Sequence, residues 1–100
     1  MNNDQIKEIL LSIEETDIDF TVTMSGKESK KVNGLYKPES HEIILHNLNF
    51  KSDNQLIYTA IHEYTHHLVT VEQEKMTKGL FHKNSRCHTN EFWAKFHSLL

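Results

Sequence analysis

The motif His-Glu-x-x-His at residues 62–66 constrains this chain more than any other feature. It lies in an apolar run with helical periodicity, and residues four apart on a helix lie about 40° apart around the axis and roughly 6 Å along it. His62 and His66 can therefore each place a nitrogen about 2.0–2.1 Å from a shared Zn²⁺ ion. Glu63 projects beside them, where it can reach a water molecule rather than the metal. The motif predicts a metal site on a helix.

Length and composition narrow the remaining possibilities. One hundred residues, 37% of them hydrophobic, suffice for one small domain covering residues 1–100. The net charge of −3 argues against nucleic acid as a partner. Cys87 is the single cysteine, so an internal disulfide is excluded and a reducing compartment is indicated. No apolar run reaches the 18–20 residues or so that cross a bilayer. We expect a soluble, cytoplasmic monomer without a membrane partner.

The first half of the chain has the pattern of one helix and three strands. Residues 4–15 carry the apolar stripe of an amphipathic helix, with Asp4 at the N-cap. Residues 17–24, 30–37 and 41–46 have the alternation or the β-branched content of strands, and the last two are close enough to form a hairpin. An edge strand beside the metal could pair with an extended peptide by strand addition.

The helix that carries the motif has a clear start signal. Ser52 and Gln55 have the S-x-x-Q spacing of a capping box, which predicts that the helix begins at about Asp53. We expect it to end near Val69 or Thr70, where β-branched residues accumulate. His62 and His66 would then lie in its last two turns.

The third metal ligand must come from another element, because a catalytic zinc usually takes three protein ligands and leaves its fourth position to water. Residues 71–86 are predicted to form a basic surface loop, and residues 88–100 a final helix. His88, at the start of that helix, is the first choice. Glu91, three residues later, is the alternative, and otherwise it would orient an imidazole.

Two motifs together resemble a known family. The stretch 56–68, with I-H-E-Y-T-H-H-L, is followed by R-C-H-T-N-E-F-W at 86–93. This pair is similar to that of the zincin metallopeptidases of the SprT-like and YgjP-like group. In that group the histidine of the second motif is the third zinc ligand, which corresponds to His88. Phe92 and Trp93 match the aromatic positions that pack behind the site.

The resemblance spans roughly residues 30–100 and implies a fold. It implies an α+β, zincin-like compact domain: an N-terminal helix, a small, mostly antiparallel three-stranded sheet, the motif helix and a C-terminal helix. The minigluzincins are similar in layout but take their third ligand from a glutamate, whose counterpart would be Glu91.

From the motif and the resemblance we expect a zinc-dependent metallopeptidase that hydrolyses peptide bonds in a peptide or protein substrate. Zn²⁺, held by His62, His66 and His88, would lower the pKa of its bound water towards 7. Glu63 would accept the proton of that water and pass it to the leaving amine.

Two alternatives remain open at this point. The first is a non-catalytic zinc-binding module, closed by a fourth protein ligand such as Cys87, His82 or Glu91. The second is a DNA-associated SprT-like protease, although the net negative charge and the lack of a separate nucleic-acid-binding domain count against it.

Other side chains near the motif have less certain roles. His67 is rotated by about 100° from His66 on a helix, so we expect it to point away from the metal. Tyr36 or Tyr58 could donate a hydroxyl hydrogen to an oxyanion. The sequence does not choose between these tyrosines.

Overall fold

The structure is a computed structural model that describes residues 1–77 and 90–100, with side chains for 1–74 and 90–100. The described residues form an α+β fold of three α-helices and a small mixed sheet. In chain order the elements are α1 (Asn3–Ile13), β1 (Thr21–Met24), β2 (Gly34–Lys37), β3 (Glu42–Leu45), a 3₁₀ turn (Asn47–Asn49), α2 (Asp53–Thr77) and α3 (Asn90–Leu99).

A capping box starts α1. The Asn2 Oδ1 accepts a hydrogen bond from the Gln5 N–H at 2.8 Å, and the Gln5 Oε1 accepts one from the Asn2 N–H at 2.9 Å. The predicted cap at Asp4 was therefore wrong. Asn2 is the N-cap, and the side chains of Asn2 and Gln5 accept hydrogen bonds from two backbone N–H groups that have no partner within the helix. Asp4 lies in the first turn instead, and Ile6 and Leu10 are buried in the core.

The sheet has the order β1-β3-β2 and contains both kinds of pairing. β2 and β3 are antiparallel, which confirms the predicted hairpin, and Tyr36 lies opposite Ile43. β1 is parallel to β3, with Val22 opposite Ile43. The expectation of a mostly antiparallel sheet was therefore wrong. Parallel neighbours need a long connection, and here β2 and its flanking loops supply that connection between β1 and β3.

All three strands are shorter than predicted, and the residues that precede β1 and β2 make other contacts. Before β1, the backbone oxygen of Ile18 accepts a hydrogen bond from the ring of His67. Before β2, the Asn49 side chain donates to the backbone oxygens of Ser29 and Val32. These segments satisfy their backbone groups through side chains rather than through the sheet.

α2 begins where the sequence predicted. The Ser52 Oγ accepts a hydrogen bond from the Gln55 N–H at 3.3 Å, as an N-cap residue does. The Gln55 Oε1 reaches back one residue further than in a standard capping box and accepts from the Lys51 N–H at 3.2 Å. Ser52 is thus confirmed as the cap.

The end of α2 differs from the prediction. The helix continues to Thr77, so the expected end near Val69 or Thr70 was wrong. Val69, Thr70 and Val71 are all at most 5% exposed, and their packing outweighs the weak helix propensity of β-branched residues. Of the loop predicted at 71–86, residues 71–77 are helical and 78–86 lie outside the described residues.

α3 packs on α2 and closes the core. Phe92, Phe96 and Leu99 are its buried residues. The ammonium group of Lys95 lies 2.6 Å from a carboxylate oxygen of Glu14, and so links α3 to the end of α1. The helix predicted at 88–100 is observed from Asn90 to Leu99, and residues 88 and 89 are outside the described part. Among the described residues, no helix has both the length and the apolar character needed to cross a membrane.

His67 is fully buried and has a hydrogen-bond partner at each ring nitrogen. Its Nε2 lies 2.8 Å from the backbone oxygen of Ile18. A carbonyl only accepts, so Nε2 carries the hydrogen and Nδ1 accepts from the Tyr36 hydroxyl at 2.8 Å. Burial lowers the pKa of His67 from 6.5 to about 4. The imidazole is therefore neutral at neutral pH.

This burial predicts a loss of stability in acid. A histidine whose pKa is lower in the folded state stabilises the fold above its unfolded pKa, and that contribution is lost as the pH falls from 6.5 towards 4. We expect the loss to reach up to about 3 kcal/mol. Urea unfolding at several pH values, for the wild type and for His67→Gln, would measure it. All other histidines are common to both proteins, so equal pH slopes would contradict the prediction.

Candidate metal centre

His62 and His66 project from the same side of α2, one helical turn apart. Their ring centroids are 5.4 Å apart, with the ring planes at 75°. Two imidazoles that share one zinc ion at 2.0–2.1 Å with roughly tetrahedral angles have centroids about 5 Å apart. The separation of the two rings is therefore compatible with a shared zinc ion.

Aromatic side chains from α3 pack against this pair. Phe92 is 1% exposed, and its ring centroid lies 4.3 Å from that of His66 and 5.0 Å from that of His62. Trp93 is 42% exposed, and its ring centroid lies 6.4 Å from that of His62. Phe92 thus packs against both imidazoles and restricts their rotation, and its position behind a metal site stays a prediction.

Glu63 lies beside the histidine pair and is 6% exposed. Burial raises the pKa of its carboxyl group to about 7. A cation held by His62 and His66 would lower that pKa again, because an opposite charge favours the ionised form. The carboxyl group is thus placed where a metal ion would control whether it can act as a base.

Gly34 allows β2 to approach α2 closely at this point. A Cβ atom at position 34 would lie 2.8 Å from the backbone oxygen of Ile44 and 3.5 Å from the Cγ of Glu63. The first distance is too short for any side chain, so only glycine fits. Gly34 was not among the site residues predicted from the sequence, although a glycine inside a strand pattern signals a close backbone approach.

A cleft of about 440 Å³ lies between β2 and α2. Residues 32–36 form one wall, and Tyr58, Thr59, His62, Glu63 and His66 form the other. Among the described strands β2 is at one edge of the sheet. The histidine pair and the carboxyl group therefore open into a groove that runs along an edge strand.

The third ligand is not among the described residues. In residues 1–77 and 90–100, no group of three or more His, Cys, Asp or Glu side chains is arranged to hold a metal ion. Glu91 is exposed in the first turn of α3 and does not join the pair. His88, His82 and Cys87 lie outside the described part. His88 as third ligand stays a prediction.

No protein-family model, curated protein or solved structure matches the chain. The resemblance to the zincin metallopeptidases therefore depends on the two sequence motifs. To these the structure adds the arrangement of His62, Glu63 and His66 around one cleft.

The two tyrosines considered as hydroxyl donors are in different states, although both line the cleft. The hydroxyl hydrogen of Tyr36 is donated to His67, and burial raises the pKa of this tyrosine. Tyr36 therefore has no hydrogen left for an oxyanion. Tyr58 is 54% exposed and lies one turn before His62 on the same face of α2. Of the two tyrosines, only Tyr58 has a hydroxyl group that could donate a hydrogen bond to an oxyanion.

The other described histidines make contacts away from the His62 and His66 pair. His67 is in the core, which confirms that it points away from the metal site. The His46 Nδ1 lies 2.9 Å from the Ser25 Oγ. The ring centroid of His41 lies 5.5 Å from that of His67, and His97 packs its exposed ring against Trp93.

We expect one zinc ion per chain in purified protein. His62→Ala or His66→Ala should abolish binding, and His88→Ala should weaken it by more than the roughly 10–100-fold that loss of an outer-shell partner costs. Inductively coupled plasma mass spectrometry and competition with a chromogenic chelator would give stoichiometry and affinity.

The control for these variants is His97→Ala, which removes an exposed imidazole from α3. Its zinc content should equal that of the wild type. Unchanged affinity in His88→Ala would assign the third position to another residue, and folded wild-type protein without zinc would contradict the metal site itself.

Proposed function

We propose that this protein is a zinc-dependent metallopeptidase of the zincin type that hydrolyses peptide bonds. One observation carries the proposal: a buried carboxyl group, Glu63, lies beside two imidazoles that fit one metal ion, in a groove along an edge strand. The two motifs that resemble the SprT-like and YgjP-like group support the same function.

The zinc ion would be held by His62, His66 and His88. When bound, it supplies Lewis-acid chemistry, because it lowers the pKa of water and polarises a carbonyl oxygen. The protein contributes the orientation of the imidazoles, which Phe92 restricts by packing against both rings.

Glu63 would act as the general base and then as the general acid. Its carboxylate accepts a proton from the attacking water and delivers it to the nitrogen of the leaving amine. Burial keeps the carboxyl group away from competing water molecules, so the proton remains available for the second transfer. Gly34 maintains the close approach of β2 that encloses this group.

The substrate would lie in the cleft as an extended peptide. Since β2 is the edge strand among the described strands, a peptide could pair with its backbone by strand addition. The scissile carbonyl would then be close to His62 and His66, and Tyr58 could donate a hydrogen bond to the developing oxyanion. An extended segment of a peptide or an unfolded protein fits this arrangement better than a small metabolite does.

We also propose that the protein acts as a cytoplasmic monomer. Its single cysteine, Cys87, is typical of a reducing compartment. The net charge of −3 gives no general attraction for nucleic acid, so a DNA-associated activity is not favoured.

The proposed role of Glu63 as the general base predicts a specific effect of the Glu63→Gln substitution. The variant should keep its fold and its zinc, because glutamine has the same shape and removes a carboxyl group whose burial is costly. The rate should fall by at least ~10²-fold, since that is the lower range for loss of a general base. Incubation with a mixed peptide library, followed by mass spectrometry, would identify cleaved bonds and their rates.

Glu72→Gln is the matched control, because Glu72 is an exposed carboxylate on the same helix. It should cleave at the wild-type rate. Equal cleavage by Glu63→Gln would contradict the mechanism. Zinc-loaded wild type that cleaves no peptide would favour a non-catalytic zinc-binding module.

A further inference from the structure

A second cavity opens beside the cleft. Its volume is about 520 Å³, and Asn33, Tyr58 and Thr59 line both spaces, so the two cavities are adjacent. Phe50 contributes an apolar part of the wall. Four lining residues carry carboxamide side chains: Asn33, Asn49, Asn54 and Gln55. Among the lining residues in the described part of the chain, none is charged.

The orientation of Asn49 is determined by backbone groups. Its Oδ1 accepts from the Ser29 N–H at 2.9 Å, and its Nδ2 donates to the Ser29 oxygen at 2.8 Å. A backbone N–H only donates and a backbone oxygen only accepts, so the two ends of this carboxamide cannot be exchanged. The same Nδ2 lies 3.0 Å from the Asn33 Oδ1. The oxygen of Asn33 is therefore an acceptor for Asn49, and its Nδ2 carries the remaining donors.

Gln55 is oriented in the same way. Its Oε1 accepts from the Lys51 N–H at 3.2 Å, which again leaves the amide nitrogen as the remaining donor. Asn33 and Gln55 thus both have their oxygens engaged by the protein. The amide nitrogens of these two exposed side chains keep hydrogens to donate, and they would complement a ligand that supplies acceptors.

We propose that this cavity, here called the donor pocket after the free amide donors of Asn33 and Gln55, binds a substrate side chain that ends in a carbonyl or carboxylate oxygen. Asparagine, glutamine, aspartate and glutamate share this chemistry. The inference rests on the proposed peptidase function and names the substrate class of that site.

The distance from the pocket to the histidine pair sets the position of this side chain. Gln55 precedes His62 by seven residues, which is about 10.5 Å along a helix. An extended peptide advances about 3.3 Å per residue. Along a path parallel to α2, this separation corresponds to about three residues of an extended peptide, which sets the range of positions to be tested.

The test uses a set of otherwise identical peptides. Each carries Gln, Glu, Leu or Lys at one position, two to four residues from the cleaved bond, on either side. Two hydrogen bonds of ordinary strength predict roughly 10- to 30-fold higher kcat/KM for Gln or Glu than for Leu, at one position only. The Gln and Glu peptides distinguish a neutral acceptor from a charged one.

Gln55→Glu reverses the chemistry of the pocket without changing its shape. The variant keeps an oxygen for the Lys51 N–H, and glutamate is favourable at this position of a helix. The second carboxylate oxygen of the introduced glutamate takes the place of the amide nitrogen of Gln55, so a hydrogen-bond donor becomes an acceptor. We expect the preference to change from Gln to Lys by roughly 10-fold, and Asn33→Asp should act in the same direction.

Gln5→Glu is the matched control. Gln5 occupies the same position of the capping box of α1, where its Oε1 accepts from the Asn2 N–H at 2.9 Å, and it does not line either cavity. This variant changes the net charge by the same amount. Its peptide preference should be that of the wild type.

The outcomes separate this proposal from the proposed function. Cleavage with equal kcat/KM for all four side chains would overturn the donor pocket and leave the peptidase function intact. If zinc-loaded protein cleaves no peptide, the function fails, and the pocket is tested by isothermal titration of the same peptides into Glu63→Gln. A preference for Gln over Leu that is lost with Gln55→Glu would support the pocket, while equal or undetectable binding would overturn it.

Discussion

Burial of α2 is the constraint on which the other elements depend. From residue 60 to 71 every residue is buried except His62, which is partly exposed. Polar groups on so enclosed a helix cannot rely on solvent, so each needs a partner within the protein or a cavity. His67 has partners on β2 and before β1, and Glu63 faces the cleft. One enclosed helix therefore supports both the core and the candidate site.

Features that depend on neighbouring residues could be predicted from the sequence. The cap at Ser52, the hairpin of β2 and β3, and the common face of His62 and His66 each involve residues only a few positions apart. Helix geometry also predicts that His67 points away from the metal site, because 100° of rotation separates it from His66, but it does not specify that His67 is in the core. Helix geometry is thus sufficient to predict that His62, Glu63 and His66 lie close together.

Features that depend on distant residues could not be predicted. The parallel pairing of β1 is determined by the order of strands in the sheet, which periodicity does not specify. The extension of α2 past Thr70 reflects burial by other elements, which outweighs local propensity. The donor character of Asn33 depends on Asn49, sixteen residues away, and the space left by Gly34 matters only because β3 and α2 lie against it.

Adjacent histidines with opposite environments make α2 sensitive to changes in chain length. His66 faces the cleft and His67 the core, and a single inserted or deleted residue between Ala60 and His66 would turn the following helix by about 100°. A deletion would bring His67 to the position that now faces the cleft, whereas an insertion would turn His66 to the core position of His67. Substitutions on the exposed first turn of α2 avoid this penalty. The length of the segment from Ala60 to His66 is therefore constrained by the core and by the cleft at the same time.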